Sequence, residues 1–210
     1  MLGLKSEGTA WTWLHKIRTA LVFPNRRKLC GNVEVDETYI GSEETDGKRG
    51  RGTSNKIMVV VALEVGERNK LGRARMSVIV DASAESLKTF VLDNVEKGST
   101  VTTDGWSGYS FLKKEGYGRT IKVQKDMKNK DELLPHVHLI ISLLKRWLLG
   151  THQGAVTEKH MQKYLDEYVF RFNRRKAAER GLLFYRLMEC AMLVPPVTYD
   201  ELVNTHKGQW

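Results

Sequence analysis

The chain has 210 residues, 41% of them hydrophobic and 28% charged, with a mean hydropathy of −0.40. That length suits one main domain with an appendage or two small ones; with no run of about 18 apolar residues no membrane span is indicated, and with no apolar h-region at its start no secretory signal is read, which leaves the cytoplasm as the expected compartment. A net charge of +9 favours a polyanionic partner, because each neutralised phosphate releases a condensed counterion.

Residues 1–29 read as a small helical piece. Ser6 or Thr9 can cap it, Ala10, Trp13, Leu14, Ile17 and Leu21 are its apolar positions, and Pro24 ends it before the basic patch Arg26-Arg27-Lys28. Cys30 and Cys190 lie far apart and lack the paired spacing of a zinc ribbon, so they read as ordinary thiols. The main domain begins near Gly31. Residues 33–40 alternate as a strand, 41–55 form a charged, glycine-rich loop, 57–63 read as a fully buried strand, and 74–80 as a third strand after a turn at 66–72. Ser83 opens an amphipathic helix through Val95. A strand at 100–104, a short helix at 108–115 and a strand at 119–124 follow. This order predicts an α/β domain with a mixed five-stranded sheet. Pro135 suits the first turn of the next helix and Gly150 the position just past its end. Further helices are expected at 157–177, with a strongly basic end, and at 181–193, before Pro195-Pro196 and a peripheral tail.

Three segments carry candidate chemistry. In the strand 33–40, Asp36 shares a face with Glu34 and Thr38, while Glu37 turns to the opposite face with Val33, Val35 and Tyr39. Alone, Asp36 is equally a plain surface aspartate. Asp104 closes a short strand, where α/β sheets place ligand crevices, although Asp-Gly is also an ordinary turn pair. In the helix from Pro135, His138, Ser142, Lys145 and Leu149 fall within about 60° of one another at 100° per residue, with His136 on the far side. A surface stripe on an amphipathic helix would look the same. Asp81 reads as a helix cap, and Asp131 and Glu132 are fallback carboxylates. The loop Lys48-Arg49-Gly50-Arg51-Gly52 can touch phosphate but is no P-loop, so no nucleotide cofactor is expected.

V-E-V-D-E-T-Y-I-G at 33–41, T-D-G-W-S-G-Y at 103–109, S-L-L-K-R-W-L-L-G-T-H-Q-G at 142–154, F-R-F-N-R-R at 170–175 and G-L-L-F-Y-R-L at 181–187 together resemble bacterial insertion-sequence DDE transposases with an ISXO-like, integrase-type catalytic domain. The resemblance implies a ribonuclease H-like fold at 31–178, followed by a C-terminal helix and tail at 179–210. It implies DNA strand cleavage and transfer with Mg2+ or Mn2+, two ions being expected, on transposon ends and target DNA. By position, Asp36, Asp104 and His138 match the three metal-binding catalytic positions and Lys145 the family lysine. Arg146, Arg171, Arg174, Arg175 and Lys176 would hold DNA phosphates without reading sequence. His138 departs from the family glutamate or asparagine. One imidazole nitrogen suits Mn2+ better than Mg2+, so impaired activity is expected. Residues 1–30 resemble the last part of a helix-turn-helix whose upstream portion and zinc ribbon are not in this sequence. A homo-oligomer and association with the nucleoid are implied by the same resemblance. A remnant that only binds DNA, and a structure-specific nuclease of the same fold, are the alternative readings.

Overall fold

The computed structural model describes residues 3, 6–41, 56–123, 133–153 and 156–203. They divide into two compact units: residues 28–158, and residues 1–27 together with 159–210. Residues 159–173 group with the N-terminal helix. No helix among the described residues is long and apolar enough to cross a membrane.

The unit at 28–158 is built on a five-stranded sheet of order β3-β2-β1-β4-β5. β1 (Asn32–Ile40), β2 (Ile57–Val65) and β3 (Leu71–Val78) pair antiparallel, whereas β4 (Thr100–Thr103) lies parallel to β1 and β5 (Gly118–Ile121) parallel to β4. The expected strands and their mixed senses are therefore present, as the helix-flanked sheet of a ribonuclease H-like fold. A parallel neighbour requires a crossover, and α2 (Ala84–Asn94) supplies it between β3 and β4. Ser83 caps α2 by accepting from the Ser86 N–H at 3.3 Å, and Asp81 braces that cap through the Ser83 N–H at 3.0 Å and the Ser86 hydroxyl at 2.8 Å, as expected of both residues.

β2 is apolar on both faces because both are covered. Val60 and Ala62 join Val33, Val35, Val101, Leu87, Phe90, Val91 and Tyr109 in the core under α2. Val59, Val61 and Leu63 are buried on the other face, where α3 (Pro135–His152) packs on β1 and β2 with Val137, Ile140, Leu144 and Leu148 buried. Each such side chain contributes about 1.5–3 kcal/mol.

Some boundaries move, for local reasons. β3 starts at Leu71 because the Glu64 carboxylate holds the Arg73 N–H at 3.0 Å beside an irregularity in the β2–β3 register, and the backbone there approaches so closely that a Cβ on Gly72 would stand 2.6 Å from that of Glu64. The expected helix 108–115 is a single 3₁₀ turn, Ser107–Tyr109, followed by hydrogen-bonded turns mostly of three-residue span, which bring Phe111 and Leu112 onto the same core as Tyr109. α3 runs through Gly150 and ends where Gln153 takes a left-handed φ of 50°. An isolated glycine costs a helix only about 1 kcal/mol. The strand expected at 119–124 is β5, which starts at Gly118 and ends at Ile121, with Lys122 and Val123 outside it; residue 124, the loop 48–52, Asp131 and Glu132 lie outside the described residues.

The second unit is helical: α1 (Glu7–Thr19), α4 (Glu158–Asn173), α5 (Gly181–Leu193) and a short α6 (Tyr199–Val203) not expected from the tail. Of the two candidate caps of α1, Ser6 accepts from the Thr9 N–H at 3.2 Å. Arg18, buried, donates to Glu167 at 2.7 Å and stacks 4.5 Å over the Tyr164 ring. α4 stops at Asn173, four residues before its expected end, where the chain tightens into three-residue turns at 174–177.

Candidate active site

The site begins with how β1 holds α3. Leu134 at the N-cap of α3 offers no side-chain acceptor, so the first N–H groups of the helix need another. Glu34 supplies it. Its Oε2 accepts from the His136 N–H at 3.1 Å and the Val137 N–H at 2.9 Å, while Oε1 lies 2.9 Å from His136 Nδ1. A carboxylate at a helix N-terminus also complements the dipole. Glu34 is thus a buried anchor rather than part of an open polar face.

The same alternation brings Asp36 to the next contact along the helix. Its Oδ2 lies 3.1 Å from His138 Nε2, with both side chains partly exposed, at 18% and 36%. Burial raises the Asp36 carboxyl above its ordinary range. The His138 ring and the Glu37 N–H pull it back, and the Asp104 charge pushes it up again. Asp104 is the second acid. It follows directly on β4, whose parallel pairing with β1 runs as far as Glu34 and Thr102, and its charge reaches Asp36. The turn chemistry expected of Asp104 is present as well: its Oδ1 accepts from the Trp106 N–H at 2.9 Å.

Along α3, Ser142, Lys145, Arg146 and Leu149 are exposed, so the stripe expected from the wheel lies at the surface, with His138 at the Asp36 end. In the helical unit, Arg171, Arg175 and Lys176 are exposed and Arg174 is half-buried; Arg174 and Arg175 stack 3.8 Å and 3.9 Å over Phe170 and Phe172. The basic end of α4 therefore mixes cations held over rings with cations that are not, Arg175 being both ring-held and exposed.

Glu37 faces the α2 side, as its parity demands, and there accepts a short hydrogen bond from the hydroxyl of Tyr109, which is fully buried. Burial drives the Glu37 carboxyl up to about 7 against the pull of that bond, with Asp36 and Asp104 adding repulsion. Burial likewise raises the Tyr109 phenol well above its usual range. Sequence reasoning missed this pair, since alternation assigned Glu37 to an apolar face without a partner. The signal was the tyrosine closing the T-D-G-W-S-G-Y segment.

For a divalent cation the donor types fit: two carboxylates that repel one another and an imidazole nitrogen. The arrangement brings the tips together in pairs, not as a trio. His138 meets Asp36, Asp104 acts on Asp36 through its charge, and among the described residues no three His, Cys, Asp or Glu side chains are grouped to hold a metal ion. An ion at Asp36 would displace the His138 contact.

A mixed five-stranded sheet of this order flanked by helices is the architecture expected of a ribonuclease H-like domain. The chain belongs to the ISXO2-like transposase family, whose domain matches residues 28–173. Among solved structures, the catalytic core domain of BIV integrase is similar over 79% of this chain and 98% of its own, at 14% identity and a TM-score of 0.45. No curated protein matches the chain.

Proposed function

We propose that this chain cuts DNA and joins the cut ends to new DNA, with Asp36, Asp104 and His138 holding Mg2+ or Mn2+. The observation that supports this most is that Asp36 lies on β1 with its carboxylate 3.1 Å from the His138 ring and within reach of the charge of Asp104, which follows the parallel neighbour strand β4. When bound, such ions supply an activated water or 3′-hydroxyl and neutralise charge on the leaving oxygen. Asp36 and Asp104 provide oxygen ligands and His138 a nitrogen. Lys145 and Arg146, exposed further along α3, hold backbone phosphates, as do Arg171 and Lys176 at the end of α4.

Supercoiled plasmid incubated with the protein should convert to nicked circles, faster with Mn2+ than with Mg2+, and His138→Glu should raise the Mg2+ rate. Nicking indifferent to Asp36→Asn and Asp104→Asn, or absent with both ions even in His138→Glu, would overturn the proposal. A second reading, DNA binding without cleavage, is favoured by the direct Asp36–His138 contact, which occupies a ligand position. Salt-sensitive binding to DNA that is never nicked selects it.

A further inference from the structure

Glu37 and Tyr109 lie outside the proposed ligand set, yet they join its two halves. Glu37 neighbours Asp36 on β1, and Tyr109 ends the loop that Asp104 begins. That loop is braced along its length. The Trp106 N–H binds Asp104 Oδ1 at 2.9 Å, its indole N–H binds the Ala82 carbonyl at 2.9 Å, and its own carbonyl accepts from Arg119 at 3.0 Å. At Gly108 a Cβ would lie 2.5 Å from the Trp106 indole nitrogen and 3.0 Å from Leu87 Cδ1, so the chain presses directly on both. The far end of the braced loop is then tied to β1 by the Tyr109–Glu37 hydrogen bond. Two apolar side chains would fill this place without the cost of burying a carboxylate. What the polar pair adds is a directional link between the strand of one acid and the loop of the other.

We propose that the Glu37–Tyr109 hydrogen bond is a tether that sets the separation of the Asp36 and Asp104 carboxylates, making both residues positioning groups for the cation site. The tether rests on the reading of those two acids as ligands. Mn2+ binding to the full chain without DNA, read from the electron paramagnetic resonance of free Mn2+, tests it beside thermal melts. Tyr109→Phe should bind Mn2+ about tenfold more weakly, the size expected when a partner behind a ligand is lost. Glu37→Gln keeps an acceptor for the phenol and should stay within about threefold of the wild type. The double variant Glu37→Leu/Tyr109→Phe leaves no polar group unpaired, so it should melt with the wild type and still bind about tenfold more weakly. The tether is overturned if Tyr109→Phe and the double variant bind as the wild type does while Asp36→Asn binds poorly, an outcome that leaves the ligand reading intact. It is overturned equally if Glu37→Gln loses as much as Asp36→Asn, which would make Glu37 a ligand itself. Wild-type Mn2+ affinity in Asp36→Asn removes the ligand reading and the tether together.

Discussion

The two compact units hold their charges in opposite ways. In residues 28–158 the acids are fixed by backbone: Asp36 by β1 paired on both sides, Asp104 by a turn at the end of β4, and Glu34 by the first N–H groups of α3. In the helical unit the cations at the end of α4 rest on aromatic rings or extend into solvent, and α5 leaves Phe184, Tyr185 and Met192 largely exposed, at 61%, 65% and 86%. Under the proposed function the difference matches what each charge would be asked to do. Carboxylates that share a cation must be spaced to a fraction of an ångström, which a strand ladder can impose. Cations that meet a phosphate backbone need only lie near it, so long side chains suffice.

The contrast breaks most sharply at the acids. Asp36→Asn and Asp104→Asn should each cut plasmid nicking by about three orders of magnitude, in the range seen when preorganised transition-state stabilisation is removed. DNA binding measured on the same preparations should change little. Equal losses in both assays would mean that these acids support the fold and not the chemistry. Next in size comes the anchor of α3. Glu34→Ala strips the acceptor from two N–H groups and the His136 ring, and should destabilise the sheet unit by about 3 kcal/mol in denaturant titrations. A loss under about 1 kcal/mol would show that water replaces the carboxylate easily.

Much of this was legible in the sequence, and the omissions share a cause. Period-two alternation placed Asp36 on the polar side of β1, and helical spacing separated His138 from His136. Neither pattern carries contacts between elements remote in sequence. Glu34 looked like one more polar residue facing a cleft until α3 laid its uncapped N-terminus there. Glu37 looked misplaced on an apolar face until Tyr109, 72 residues on, supplied a hydroxyl. A basic run also does not reveal that Arg174 and Arg175 fold back on Phe170 and Phe172. Local periodicity predicts which face a side chain takes, and tertiary packing decides what it meets there.

In the helical unit the corresponding acid is the half-buried Asp166, which accepts from Gln162 at 3.1 Å and whose carboxyl desolvation lifts to about 6. A raised carboxyl favours folding while protonated, so its contribution is full below pH 3.8 and is lost as the pH rises through 6. Asp166→Asn should therefore melt with the wild type at pH 3.5 and be more stable by roughly 2 kcal/mol at pH 8. A difference that stays constant with pH would show that Asp166 is solvated.

The smallest effect separates the two kinds of cation at the end of α4. Arg171 and Lys176 are exposed, and Arg171 only shares Glu167 at 3.2 Å one turn away, a pairing that phosphate can replace. Arg174 is committed to the Phe170 ring and donates to the Phe170 carbonyl at 3.4 Å. Each phosphate contact contributes about 0.9 to the slope of log affinity against log salt. Arg171→Ala combined with Lys176→Ala should flatten that slope by about 2 and weaken DNA binding alike for every sequence. Arg174→Ala should leave the slope nearly unchanged and instead lower the melting temperature, through loss of a ring contact of about 1 kcal/mol. If the Arg174 variant flattens the slope as much as the double variant does, the ring contact opens when DNA binds, and the two kinds of cation collapse into one.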